Sequence, residues 1–128
     1  MPFSALGLSP ALTQAATAMG FVAPTPIQEA AIPAILRGAD VVGSAQTGSG
    51  KTAAFALPLL QQLQAGATHT PRRVRALILV PTRELAAQVG EVVRSLAQHL
   101  PQPVKVAVVF GGVSINPMAM PARHRETL

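Results

Sequence analysis

Eight consecutive residues, Ala45-Gln46-Thr47-Gly48-Ser49-Gly50-Lys51-Thr52, carry the clearest chemistry in the chain. Gly48 and Gly50 open backbone angles closed to other residues, so successive N–H groups can turn inward around an anion. A helix starting here aims its positive dipole end and unpaired N–H groups at the same point. Lys51 is placed to reach the β and γ phosphates of a nucleotide, and the Thr52 hydroxyl to hold Mg²⁺. The usual pattern begins with Gly where this chain has Ala45. A Gly/Ser turn that merely caps a helix is the plainer alternative.

That chemistry needs a strand before the turn and a helix after it. The β-branched pair Val41-Val42 and the apolar run from Thr52 to Leu63 supply both, with an interruption expected at Pro58. Upstream, Ser9-Pro10 reads as a capped helix start, running to Met19 and stopping at Gly20. Thr25, Pro26 and Gln28 restart a helix with capping-box spacing, which Pro33 should break or kink before Gly38 ends it. Ala65 to Arg73 is a polar connection.

Ala76 to Val80 and Val104 to Phe110 are apolar runs, expected as parallel strands covered on both faces. Between them, Pro81-Thr82-Arg83-Glu84 caps a helix running to about His99. Strands alternating with helices imply right-handed crossovers, hence an α/β fold with a parallel sheet flanked by helices. Ligands collect at the carboxyl ends of such strands. The turns at Ala45–Gly50, Pro81–Glu84 and Gly111–Gly112 would therefore share one rim.

Composition narrows the class. The chain has 128 residues, near the size of one domain; 49% are hydrophobic and only 12% charged, which argues against disorder. Four Phe with no Trp or Tyr leave the core to Ala, Val, Leu and Ile. With no cysteine there is neither a disulfide nor cysteine-bound zinc. The net charge of +5 suits a polyanionic partner without locating a site for it. Runs without a polar residue, such as Ala53 to Leu60, fall far short of a membrane span. No basic residue precedes Arg37, so the start does not read as a secretory signal, and a cytoplasmic protein without membrane attachment is expected. His69, His99 and His124 have no metal-ligand spacing, and the Arg72, Arg73, Arg75 cluster reads as solvated surface.

Four stretches in order now carry a resemblance to the DEAD-box family of ATP-dependent RNA helicases. Gly20 to Gln28, with Phe3 upstream, resembles the adenine-reading Q motif. Ala45 to Thr52 resembles the family's phosphate loop, in which alanine is the usual first residue. Pro81 to Gln88 resembles the RNA-contacting motif Ia, and Phe110 to Ser114 the glycine doublet that also touches RNA. The resemblance spans residues 3 to 117 and implies the first part of a RecA-like P-loop domain. It implies ATP and Mg²⁺ as ligands, with Phe3, Phe21, Gln28 and Ala45 through Thr52 on the nucleotide. It also implies RNA on Pro81, Thr82, Arg83, Glu84, Gly111 and Gly112.

Each motif also has a local reading. A Gln amide can accept from adenine N6 while donating to N7, a pairing guanine cannot offer, so Gln28 should favour ATP over GTP. The local sequence equally makes Gln28 the N3 residue closing a capping box. Thr82 reads as an N-cap, and a helix N-terminus beside Arg83 makes a phosphate site for an RNA backbone. Backbone contacts of that kind are sequence-tolerant and salt-sensitive.

Hydrolysis needs a carboxylate at a strand end to help hold Mg²⁺ and a group to position water. The strand ending at Val80 runs into Pro81-Thr82, and the one ending at Phe110 into Gly111-Gly112. The Asp-Glu-Ala-Asp box, the Ser-Ala-Thr motif and the second helicase domain do not appear, and residues 118–128 read as an irregular tail. A truncated N-terminal portion is the expectation; a non-catalytic nucleotide- or RNA-binding fragment and another P-loop NTPase are the alternatives. This chain alone should therefore show no RNA-stimulated ATPase in a phosphate-release assay. Turnover abolished by Lys51→Ala would contradict that.

Overall fold

A computed structural model describes residues 2–44, 49–66 and 74–109. They form a 3₁₀ turn, Phe3–Leu6, and four helices: α1 (Pro10–Ala18), α2 (Pro26–Leu36), α3 (Ser49–Ala65) and α4 (Arg83–Ala97). The starts follow from local chemistry. Ser9 Oγ accepts from Leu12 N at 3.3 Å, Thr25 Oγ1 from Gln28 N at 3.4 Å, and Thr82 Oγ1 from Leu85 N at 3.1 Å. Pro10 and Pro26 occupy first-turn positions where a missing N–H leaves nothing unpaired. Past the ends of α1 and α2, Gly20 and Gly38 turn the chain out at φ of 89° and 84°.

Two proline expectations need correction. Of the break or kink expected at Pro33, the break does not occur, α2 running on to Leu36, and Pro58 does not interrupt α3, which runs from Ser49 to Ala65. An internal proline costs a helix roughly 3 kcal/mol through one lost hydrogen bond and a ring clash. Packing offsets that here. Pro58 itself is fully buried between Leu57 and Leu60, so unwinding the helix would expose all three.

The core lies where these helices meet, with Leu12, Ile32, Leu57, Leu60 and Leu96 fully buried. Helix α3 is its axis, packing against α1, α2 and α4. Three α3 glutamines also tie peptide groups of neighbouring segments to it. Gln61 accepts from Ser9 N at 2.6 Å and donates to Gly7 O at 2.8 Å. Gln62 donates to Ile35 O at 2.9 Å. Gln64 donates to Gln102 O at 3.0 Å and accepts from Gln102 N at 3.1 Å. A side-chain amide offers the same donor and acceptor as a peptide group, so it can close connections that no ladder closes.

The expected sheet is not formed among the described residues. Segments 41–44, 74–80 and 103–109 are neither helix nor strand. Two of them still alternate as extended chain does. Ile78 and Val80 pack inward, as do Val104 and Val106, while Leu77 is 70% and Leu79 83% exposed. The expectation that Ala76 to Val80 is covered on both faces therefore fails for these residues: the helices cover one face and no described element covers the other. The 103–109 segment lies close on α4, with Arg94 Nη2 donating to Val106 O at 3.2 Å. A Cβ at Gly90 would stand 2.6 Å from Val108 Cγ2, so only glycine permits that approach. Between α3, α4 and the two segments lies a cavity of about 710 Å³. Phe110 and the tail 118–128 lie outside the described residues, as do Arg72, Arg73, His69 and His124.

A bare apolar face on an unpaired extended segment is a template for association. Light scattering should show self-association of this chain rising with concentration. Leu77→Lys/Leu79→Lys should suppress it while changing stability by no more than about 0.5 kcal/mol, as exposed substitutions do. A wild-type chain that stays monomeric at high concentration and melts cooperatively would contradict this.

Candidate nucleotide site

The site is organised by the first turns of two helices. Gln28 lies in the first turn of α2 and Gly50 in that of α3. Gln28 is fully buried, the one buried polar side chain among the described residues. Its Oε1 accepts from Thr25 N at 3.0 Å, closing the capping box, and its Nε2 donates to Gly50 O at 2.9 Å. The orientation of the amide is thereby determined, because one side meets a donor and the other an acceptor. The capping-box role anticipated from spacing is real, and it uses only part of the amide. One N–H and one lone pair have no partner among these bonds.

Thr25 lies close by as well. A Cβ built on Gly50 would stand 3.4 Å from Thr25 Cγ2 and 3.5 Å from Gln28 Nε2. The start of α3 thus sits directly against the start of α2. It brings Lys51, which is exposed, and Thr52, which is half-buried, to the end of α3 where the dipole is positive. Ala45, Gln46, Thr47 and Gly48 lie outside the described residues, and Ser49 is described only as the first residue of α3.

The two phenylalanines are placed differently. Phe3 is 4% exposed and belongs to the hydrophobic core. Phe21 is half-buried against the same core, leaving part of its ring open. Among the RNA-assigned residues, Thr82 caps α4 as expected, with Arg83 and Glu84 exposed in its first turn and Pro81 exposed before it. Gly111 and Gly112 lie outside the described residues. No group of three metal-ligating side chains occurs among the described residues. None of their helices is long and apolar enough to cross a membrane.

Comparison with known proteins is decisive for the family. The family model for the DEAD/DEAH box helicase matches residues 25–125. The chain belongs to that family. It is 46% identical over 114 residues to the DEAD-box ATP-dependent RNA helicase CshA of Bacillus cereus, covering 89% of this chain and 21% of the relative. It is 49% identical over 113 residues to the ATP-dependent rRNA helicase RRP3 of Pyricularia oryzae, covering 88% of this chain and 20% of that one. The chain thus spans about a fifth of the length of these relatives. Among solved structures it resembles the RNA helicase Prp28 from Chaetomium thermophilum bound to ADP, at a TM-score of 0.76 and 43% identity. That match covers 93% of this chain and 29% of Prp28. A DEAD box protein from Methanococcus jannaschii matches at a TM-score of 0.74 and 39% identity, over 89% of this chain and 30% of that one. The DEAD/DEAH chain is therefore similar in fold to the corresponding part of these helicases, with no strand ladder formed among its described residues.

Sequence reasoning passed over Gly43 and Ile27 as contact residues, and over the three α3 glutamines. A polar side chain recurring in an apolar helix was the available signal for the glutamines. Replacing Gln28 tests the link between the helices. Gln28→Met keeps the shape and leaves Thr25 N and Gly50 O without their partner. Both bonds are part-buried, and a typical hydrogen bond contributes roughly 0.5–1.5 kcal/mol. Denaturant unfolding should show a loss of about 1–3 kcal/mol, and a loss below about 0.5 kcal/mol would show that the amide does not hold the two helices.

Proposed function

We propose that this chain is the ATP-binding and part of the RNA-binding surface of a DEAD-box ATP-dependent RNA helicase, built on a RecA-like parallel sheet. The observation that carries the reading is the Gln28 amide joined to Gly50 O at 2.9 Å. That bond would join a base-reading side chain to a phosphate-binding helix start. The relatives CshA and RRP3, both ATP-dependent RNA helicases, support the activity class.

The donor count of Gln28 suits the role. Its second N–H can donate to adenine N7 while the first stays on Gly50 O. Its Oε1 can accept from adenine N6 through the lone pair that Thr25 N leaves free. Because the side chain is fully buried, the base reaches it only as the covering groups shift. The open part of Phe21 offers the base an apolar surface. Phe3 contributes by holding the core beneath it.

Backbone N–H groups from Ala45 to Gly50 would surround the phosphates, with Lys51 neutralising the β and γ oxygens. The Thr52 hydroxyl is a hard oxygen donor, and Mg²⁺ commonly takes one or two protein ligands beside phosphate oxygens and water, so the residues fit the ion. Bound there, Mg²⁺ would neutralise charge on the phosphate oxygens. The α4 N-terminus with Thr82, Arg83 and Glu84, next to Pro81, would meet an RNA backbone, and Gly111-Gly112 would allow its close approach. Such a surface would bind RNA with little sequence preference in a soluble, cytoplasmic setting.

Fluorescent-nucleotide titration tests the reading. ATP should bind about tenfold tighter than GTP, as expected when a bidentate base contact worth roughly 1–3 kcal/mol is lost. Lys51→Ala should weaken both nucleotides, and Gln28→Ala should erase the preference. Equal affinity for ATP and GTP, unchanged by Gln28→Ala, would point instead to another kind of P-loop enzyme.

A further inference from the structure

The first turn of α2 touches the phosphate-loop region at two places, and the second is made by an aliphatic side chain. Gln28 meets Gly50 where the chain leaves that region. Ile27, the preceding residue, meets Gly43 where the chain enters it. A Cβ built on Gly43 would lie 3.0 Å from Ile27 Cδ1 and 3.9 Å from Cγ1, so the isoleucine rests directly on the glycine backbone. Gly43 has an ordinary negative φ, since the positive-φ glycines are Gly7, Gly20 and Gly38. Close approach, and not backbone conformation, is what favours glycine here.

The contact matters because little else described holds this segment. No backbone–backbone hydrogen bond among the described residues anchors 41–44. Val42 is fully exposed and contributes no contact, and Val41 is covered only in part. We propose that Ile27 is a positioning residue for nucleotide binding: through Gly43 it sets where the chain enters the phosphate loop, while Gln28 sets where it leaves. This rests on the reading that residues 45–52 bind the triphosphate. It adds that the helix turn reading the base also sets the spacing of the loop's two ends. Changes at Ile27 or Gly43 should then act on phosphate affinity and leave base affinity alone.

The test is a size swap with two ligands, ATP and adenosine, titrated into the full chain by NMR. Gly43→Val pushes the segment away from Ile27 and should weaken ATP about tenfold, in line with overpacking at a tight contact. Adenosine affinity should change less than about twofold. Ile27→Ala, which removes the contact, should weaken ATP roughly threefold, and Ile27→Val, which removes only Cδ1, by less. The double variant Gly43→Val/Ile27→Ala restores the volume and should recover most of the ATP affinity. Parallel losses for ATP and adenosine, or single effects that multiply in the double variant, would overturn the proposal, because a general loss of fold predicts both. A wild-type chain that binds ATP with an affinity insensitive to Lys51→Ala would instead overturn the reading of the phosphate loop, and this inference with it.

Discussion

Everything in the nucleotide region depends on one buried amide. Burying an uncharged amide without partners costs several kcal/mol, so Gln28 is stable at zero exposure only because Thr25 N and Gly50 O meet it. The same requirement works in reverse. The carbonyl of Gly50 sits in the first turn of α3, and its bond to Gln28 ties that turn to α2 across twenty-two positions of sequence. Two helix starts whose capping chemistry is local thus become one object.

The rest of the described structure supports that object. Helix α3 continues from Gly50 through two residues with phosphate chemistry into the most buried part of the chain. Its apolar side, Ala53, Ala56, Leu57 and Leu60, holds it in place, and Gln61, Gln62 and Gln64 tie it to three neighbouring segments. Under the proposed reading, a helix start held this way would not need to reorganise when an anion arrives. Pre-organisation is what gives such sites their affinity. The uncovered face at Leu77 and Leu79 shows the opposite situation, an extended segment whose side chains alternate correctly but whose partners are not among the described residues.

Much of this was legible in the sequence, and particular residues show why. Ser9-Pro10, Thr25-Pro26 and Thr82 mark helix starts because capping is a matter of three or four adjacent residues. The family, too, is written in short local strings, most of which lie within the residues 25–125 that the family model matches. Pro33 and Pro58 misled because a proline's local penalty is visible in sequence while the burial that outweighs it is not. The apolar runs at 76–80 and 104–110 suggest strands covered on both faces; the described residues show extended alternation with one face bare, because a ladder needs a partner that a single segment does not name. Spacing makes Gln28 the N3 residue of a capping box, and the resemblance adds the reading of adenine. The bond to Gly50 is visible in neither, since it joins positions twenty-two apart.

A crystal structure of this chain with a non-hydrolysable ATP analogue and Mg²⁺ would decide whether Gln28 serves both helix and base. The adenine edge should lie on the Gln28 amide, N7 receiving its second N–H, with the bond from Nε2 to Gly50 O intact and the phosphates at the start of α3. A base seated elsewhere, or a Gln28 side chain that must release Gly50 to reach it, would contradict the claim that one amide serves both.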